Sequence, residues 1–240
     1  MVFKGNPGTG KTTLARIVGR MAFDRGLIPC RNRFVEGDRE TLVGAFVGHT
    51  AMKSKAAIAS ALHGVLFIDE AYALMEGPSD TFGKEAIDTL VKAMEDCLDN
   101  FEKKGFICIM AGYPELMDQM ISTNPGLRDR FGLKVEIPDC TTEQLMQALD
   151  MLAEKKAYTF AKTARALFEQ HLDAIACRKD DDFANIRLVE NLFERCVIRQ
   201  SSMHGANSCI KRDVVESVFL DADIAKLTTG GKTSIGFQVA

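Results

Sequence analysis

Residues 5–12 read Gly5-Asn6-Pro7-Gly8-Thr9-Gly10-Lys11-Thr12. This stretch matches the pattern G-x-x-x-x-G-K-[S/T], in which glycines let successive backbone N–H groups turn inward onto an anion. In that pattern Lys11 reaches the β- and γ-phosphates of a nucleotide, and the Thr12 hydroxyl ligates Mg²⁺. The stretch therefore predicts a phosphate-binding loop that decides the fold class of the chain.

The residues on either side of the loop support this interpretation. Val2-Phe3 before it is typical of the end of a strand, and residues 13–18 after it are typical of an amphipathic helix. A helix that begins at the loop favours bound phosphate through its N-terminal N–H groups. A chance glycine-rich turn would not need a strand before it and a helix after it.

Composition and charge narrow the class of protein. The 240 residues are 46% hydrophobic and 26% charged, with a net charge of −3. These values are ordinary for a globular chain. The negative net charge does not indicate a basic surface, so we do not expect a nucleic-acid partner. No apolar run approaches the length of a membrane span, and the start does not resemble a signal peptide. We expect no membrane partner.

The cysteines and histidines predict neither a disulfide framework nor a zinc site. The seven cysteines form no C-x-x-C pair, and the four histidines form no H-E-x-x-H motif. Scattered cysteines are typical of a reducing compartment, where they fill core space. We therefore expect a cytoplasmic protein or one of the plastid stroma.

Apolar runs of strand length alternate with helical patterns through residue 137. After the strand at Val2-Phe3, we predict strands at Arg33–Glu36, Gly64–Ile68, Phe106–Ala111 and Leu133–Ile137. The run from Gly64 to Ile68 is continuously apolar, as expected of a strand buried on both faces. The alternation predicts an α/β fold with a doubly wound, parallel, five-stranded sheet.

Beyond Pro138 the pattern becomes helical. Thr141 to Gln144 fits a capping box, and further helices are predicted near 163–178, 186–203 and 211–225. We predict an α/β nucleotide-binding core over 1–138, an all-helical lid over 139–227 and a flexible tail over 228–240. Since the first strand begins at residue 1 or 2, we expect an N-terminal segment to be missing.

Asp69-Glu70 follows the most apolar predicted strand directly. Carboxylates at the carboxyl end of a parallel strand lie where such sheets bind ligands. Asp69 would hold Mg²⁺, mostly through water, and Glu70 would polarise an attacking water. The alternative is that the pair caps the next helix.

Three other positions each leave two interpretations open. Arg128 and Arg130 could reach the γ-phosphate of a neighbouring subunit, or form a surface ion pair with Asp129. Phe46, set between glycines, could grip a partner from an exposed loop, or be a buried core residue. Arg187, at the start of a helix of the second domain, could contact nucleotide or be an ordinary exposed arginine.

Taken together, the motifs resemble the AAA+ ATPases, and more narrowly the CbbX/CfxQ group, which includes SpoVK and EccA-like proteins. The resemblance covers roughly residues 3–225. The segments that carry it are Val2–Thr13, Val43–Thr50 with Lys53, Gly64–Tyr72, Ala111–Tyr113, Asn124–Phe131 and Phe183–Glu194.

The resemblance implies a role for each of these motifs. Asp69 and Glu70 correspond to the Walker B pair, with Mg²⁺ held by Thr12 and Asp69 and with Lys11 and Glu70 as catalytic groups. Arg130 is the first choice for the arginine finger and Arg128 the second. The residues expected to bind ATP are Asn6, Pro7, Gly8, Thr9, Gly10, Lys11, Thr12, Thr13 and the sensor-2 residue Arg187.

The resemblance also implies how the protein would act. Phe46 stands at the pore-loop position, where the group usually carries Tyr, and Gly112-Tyr113 stands at the sensor-1 position. A hexameric ring would thread or remodel a protein substrate, with the Rubisco large subunit as one candidate. Two alternatives stay open: an AAA+ protein that acts on DNA, and a module of a multidomain protein that binds nucleotide only structurally.

Overall fold

A computed structural model describes residues 1–46, 48–75, 77, 79–101, 105–178 and 183–229. Contacts divide the chain into two compact units. The first comprises Met1–Asn6 and Gly10–Pro138. The second comprises the chain from Asp139 onward together with Pro7–Thr9, the tip of the glycine-rich loop.

The first unit is built on a five-stranded sheet. Its strands are β1 (Val2–Lys4), β2 (Phe34–Gly37), β3 (Val65–Ile68), β4 (Ile107–Gly112) and β5 (Lys134–Glu136). They are ordered β2-β3-β4-β1-β5, and every pair is parallel. The predicted parallel five-stranded sheet is confirmed, with strand ends within two residues of the predicted ones.

The helices of this unit connect successive strands. They are α1 (Lys11–Asp24), α2 (Arg39–Leu42), α3 (His49–Ala61), α4 (Thr81–Asp99), α5 (Pro114–Thr123) and α6 (Pro125–Arg130), with a 3₁₀ turn at Ala71–Leu74. The short helices α2, α5 and α6 were not predicted from the sequence. Two of them begin at proline, which is well suited to the first turn of a helix.

Strand β3 shows why the sheet has helices on both faces. Leu66 and Ile68 lie in one hydrophobic cluster, whereas Val65 and Phe67 lie in another. All four side chains are almost fully buried. Because side chains alternate along a strand, a continuous apolar run requires apolar cover on each side.

A buried lysine joins three elements of the first unit. Lys4, at the end of β1, lies 3.0 Å from Asp118 on α5 and 2.9 Å from Glu136 on β5, and its side chain is only 7% exposed. Its hydrogen bonds to the carboxylates of Glu136 and Asp118 raise the lysine pKa. The charge is tolerated in this position because it is paired.

The second unit is mainly helical. Its helices are α7 (Thr142–Lys155), α8 (Lys162–Ala176), α9 (Asn185–His204), α10 (Arg212–Phe219) and α11 (Ala222–Thr229), packed around one apolar cluster. The predicted capping box is present: the Thr141 hydroxyl accepts from Gln144 N, and the Gln144 side chain accepts from Thr141 N.

The predicted helical C-terminal part is confirmed, and the structure differs from the prediction in two details. It is not all-helical, because Thr159–Phe160 (β6) and Cys209–Ile210 (β7) form a small parallel pair. The helix predicted over 211–225 is two helices, α10 and α11. The helix is interrupted at Asp221. Its carboxylate accepts hydrogen bonds from Arg195 and Arg199, and its carbonyl accepts from Ala225 N.

The predicted flexible tail begins inside a helix, since 228 and 229 close α11, and its remainder lies outside the described residues. Across the part of the chain that is described, no helix is both long enough and apolar enough to cross a bilayer.

Candidate active site

One edge of the sheet gathers the motif residues of the first unit. There β1 runs into the loop at Gly5, β3 runs into Asp69, and β4 runs into Tyr113. Strand β4 lies between the other two, in a register that pairs Lys4 with Gly112 and Ile68 with Met110. Neighbouring strands are about 4.8 Å apart, which puts the ends of β1 and β3 about 10 Å from each other.

The glycine-rich loop places a lysine at the start of α1. Gly10 has a left-handed φ of +85° and precedes the helix, which begins at Lys11. The Lys11 ammonium donates to Gly5 O at 2.9 Å and to Asn6 O at 2.8 Å. The Lys11 side chain thus lies over its own loop. Its ammonium can exchange these two carbonyl acceptors for oxygens of a phosphate.

Thr12 and Thr13 occupy the first turn of α1, where N–H groups favour an anion. Thr12 is partly buried and Thr13 is exposed. Asp69 is also partly buried, and its Oδ1 accepts from Glu70 N at 3.0 Å. A hydroxyl and one carboxylate suit Mg²⁺, which keeps several waters and takes its other ligands from phosphate.

Groups of three or more His, Cys, Asp or Glu that could hold a metal ion are absent from the described ranges. Thr12 and Asp69 fit a Mg²⁺ that takes its other ligands from water and phosphate, whereas they would not make a metal site by themselves.

Glu70 has an unusual backbone. Its φ of +46° and ψ of +43° are left-handed, which is uncommon for a residue other than glycine. It occupies the N-cap position of the 3₁₀ turn at Ala71–Leu74, where its carbonyl accepts from Ala73 N at 2.8 Å, but its side chain makes no capping hydrogen bond. Strained backbone of this kind is concentrated at functional sites.

A tyrosine that the sequence analysis gave no role lies close to this carboxylate. The Tyr72 ring lies 5.9 Å from the Tyr113 ring, between centroids. Burial raises the pKa of Tyr72 to about 12, with a further contribution from the negative charge of Glu70. A Cβ on Gly112 would stand 2.7 Å from Tyr72 Cδ1, so only glycine allows this approach. The sequence feature that could have indicated this contact is the pair Gly112-Tyr113 at the end of β4.

The two candidate finger arginines differ in their partners. Arg130, at the end of α6, donates to Glu95 Oε1 on α4 at 2.6 Å. Arg128 is more exposed, and its nearest carboxylate oxygen, on Asp129, is 4.0 Å away. The surface-pair alternative is therefore wrong for Arg130 with Asp129, and a weak contact of that kind is present at Arg128. Which arginine acts as a finger stays a prediction.

Phe46 is an exposed loop residue, with 68% of its surface accessible. Its carbonyl accepts from His49 N at 3.1 Å, and its ring meets the His49 ring edge-on at 5.5 Å. Lys53 donates to Glu40 O and Val43 O, which closes the base of the loop. The alternative of a buried Phe46 is wrong, and its contact with a substrate stays a prediction.

In the second unit, Arg187 lies in the first turn of α9 with an exposed side chain. The loop tip is adjacent: Ile186 N donates to Gly8 O at 3.2 Å, and a Cβ on Gly8 would stand 2.8 Å from Arg187 N. The predicted nucleotide residues Pro7, Gly8 and Thr9 are thus beside the predicted sensor residue.

Known proteins resemble this chain over most of its length. Residues 1–139 match the family described as ATPase family associated with various cellular activities (AAA), and residues 141–229 match the AAA lid domain. The chain is 41% identical over 202 residues to stage V sporulation protein K of Bacillus subtilis, covering 84% of this chain and 61% of that protein. It therefore spans about three fifths of that relative's length.

A second relative and a solved structure extend the comparison. The chloroplastic ribulose bisphosphate carboxylase/oxygenase activase of Cyanidioschyzon merolae is 36% identical over 203 residues, with 84% of this chain and 67% of the activase covered. The Thermotoga maritima RuvB Holliday junction branch migration motor superposes with a TM-score of 0.65 at 21% identity, covering 95% of this chain and 63% of RuvB. The RuvB likeness is one of fold.

Proposed function

This chain belongs to the AAA family of ATPases and carries that family's lid domain, and we propose that it binds and hydrolyses ATP with Mg²⁺. One observation carries the proposal: a single sheet edge brings the glycine-rich loop, the Asp69-Glu70 pair and Tyr113 onto neighbouring strand ends. Ligands of open parallel sheets bind at that edge.

ATP supplies the bond that is cleaved, and the chain supplies binding and polarisation. Backbone N–H groups of residues 8–13 and the Lys11 ammonium hold the phosphates, while Thr12 and Asp69 hold Mg²⁺. Glu70 orients a water and accepts its proton as the water attacks the γ-phosphate. The left-handed backbone of Glu70, whose side chain makes no capping hydrogen bond, supports this role.

The charge that develops on the γ-phosphate needs a cation from another copy. Arg130, with Arg128 as second choice, lies at the far end of α6 and would reach the nucleotide of a neighbouring subunit in a ring. An arginine finger is worth about 10³–10⁵ in rate in well-studied enzymes. We propose a hexamer, because rings are usual among AAA proteins.

The work of hydrolysis would act on a polypeptide. The large exposed surface of Phe46 supports a gripping role, since an aromatic ring presented to solvent can bind extended chain at little entropic cost. The name of one relative, a ribulose bisphosphate carboxylase/oxygenase activase, supports a protein substrate for this chain too. The Rubisco large subunit is one candidate.

The test is ATP turnover by the purified chain, measured as phosphate release against protein concentration. We expect activity that rises more than linearly with concentration, because each site needs a neighbour. Lys11→Ala should abolish turnover, while Arg25→Ala, an exposed arginine just beyond α1, should not. Equal activity in the Lys11→Ala variant and the parent would refute ATP hydrolysis at this loop.

A further inference from the structure

We propose that Asn185 is a positioning residue for the phosphate loop: it fixes the carbonyl groups of the loop tip and so aims the N–H groups of Gly8 and Thr9 at bound phosphate. The inference rests on the proposed function, because it concerns how well the loop is preorganised for nucleotide. Asn185 belongs to none of the binding or catalytic residues assigned above.

The Asn185 side chain is fully buried and completely engaged. Its Oδ1 accepts from Cys140 N at 2.7 Å. Its Nδ2 donates to Asp139 Oδ1 at 2.8 Å, to Phe183 O at 2.9 Å and to Pro7 O at 3.2 Å. An amide has two donor hydrogens, so three acceptors share them, and every hydrogen-bonding group of the side chain is satisfied.

The backbone of Asn185 explains why an asparagine stands there. Its φ is +49°, in the left-handed region, although it is the first residue of α9. Asparagine is one of the few residues besides glycine that tolerate this conformation. The turn also brings the next amide into contact with the loop, since Ile186 N donates to Gly8 O at 3.2 Å.

Two successive loop carbonyls, those of Pro7 and Gly8, are therefore held by the start of α9. In a trans peptide the C=O and the following N–H point in opposite directions. Fixing the carbonyls of residues 7 and 8 consequently directs the N–H groups of Gly8 and Thr9 to the other side of the loop. That orientation is the one that a phosphate-binding loop requires.

The close packing at Gly8 limits the alternatives open to the loop. Gly8 has a φ of +69°, and a Cβ there would stand 2.2 Å from Ala184 O. No residue other than glycine fits against this helix start. The tip is thus located by shape on one side and by two hydrogen bonds along its backbone, and Asn185 supplies the one that comes from a side chain.

The experiment is the affinity of the full chain for Mg²⁺–ADP, measured by titration calorimetry, in the parent and in Asn185→Gly. Glycine tolerates the left-handed backbone and removes the side-chain amide, so the result is not confounded by backbone strain at this position. We expect Kd to rise about 5- to 10-fold, the effect of losing a buried hydrogen bond. We also expect faster amide hydrogen exchange at Gly8 and Thr9.

Asn191→Ala is the matched control. Asn191 lies on the same helix and accepts a hydrogen bond from Arg195 Nε at 2.8 Å, away from the loop tip. Its removal should leave Kd for ADP within twofold of the parent. If Asn185→Gly does not fold, Asn185→Asp decides the matter, since it keeps the acceptor for Cys140 N and loses the donor to Pro7.

The outcomes separate this inference from the proposed function. If the parent does not bind ADP, nucleotide binding at the loop is wrong. If the parent binds and a folded Asn185→Gly or Asn185→Asp binds equally well, the positioning role is wrong. An equal loss of affinity in Asn191→Ala would also overturn it, because the effect would then belong to α9 as a whole.

Discussion

Arg130 is held by Glu95: its Nη2 lies 2.6 Å from Glu95 Oε1, which joins the end of α6 to α4. Both side chains are partly exposed, at 31% and 49%. An ion pair of that kind contributes about 0–1 kcal/mol to stability. The arginine is therefore oriented but held weakly enough to exchange its partner for a phosphate, as the proposed finger role requires.

The first prediction concerns that exchange. Arg130→Ala should lower kcat for ATP by at least about 10³-fold, because the transition-state charge loses its cation. Arg128→Ala should have a smaller effect if Arg130 is the finger. The measurement is steady-state phosphate release at saturating ATP; a larger loss in Arg128→Ala would reverse the assignment.

A mixing experiment tests whether the arginine acts between copies. Arg130→Ala retains its own phosphate loop, and Lys11→Ala retains its arginine, so mixed assemblies should regain activity that neither variant has alone. A mixture of Lys11→Ala and Glu70→Gln is the control, since those two defects fall in the same site and on the same side of the interface. Rescue of the control, or no rescue of the test mixture, would contradict a finger supplied by the neighbour.

Sequence patterns predicted what depends on neighbours along the chain. The glycine loop, the apolar run of β3 and the capping box at Thr141 are each set within a few residues, and each is present in the structure. The parallel sheet followed from alternation of such runs. Regular spacing reports local structure and burial well.

Contacts between distant residues were not predictable in this way. Lys4 is separated from Asp118 by 114 positions, and Asn185 from Pro7 by 178. Nothing in the pattern of a strand end marks Lys4 as buried, nor does a polar residue at the start of a helix mark Asn185 as left-handed. The break at Asp221 likewise depends on arginines of another helix. Tertiary partners decided each of these features.

The second prediction concerns Glu70. Glu70→Gln should bind ATP with an affinity close to that of the parent and lose turnover by at least about 10²-fold, because the amide cannot accept the proton of the attacking water. Binding is measured by titration with Mg²⁺–ATP and turnover by phosphate release. Steady-state hydrolysis equal to that of the parent would reject Glu70 as the base.

The third prediction concerns Phe46. Phe46→Ala should abolish the stimulation of ATP turnover by an unfolded protein substrate, since the exposed ring proposed to grip that substrate is gone. Phe46→Tyr should retain the stimulation, because the gripping surface stays. Met52→Ala is the control: Met52 is another large apolar residue nearby, 70% exposed on α3. Equal stimulation in Phe46→Ala and the parent would contradict the proposed pore-loop role of Phe46.

The fourth prediction concerns pH and the buried Lys4. Hydrogen bonds to Glu136 and Asp118 raise the Lys4 pKa in the folded state above its ordinary value of 10.5. A raised pKa means that the stabilisation is complete below 10.5 and is lost as pH rises through the folded value. Lys4→Met should therefore lower the free energy of unfolding by about 1–3 kcal/mol at neutral pH, and the difference from the parent should shrink above pH 10.5.

The measurement is urea unfolding across that range, with Lys134→Met as control, because Lys134 is 44% exposed and lies 4.0 Å from the same Asp118. A difference that stays constant with pH would show that the Lys4 charge contributes nothing to stability.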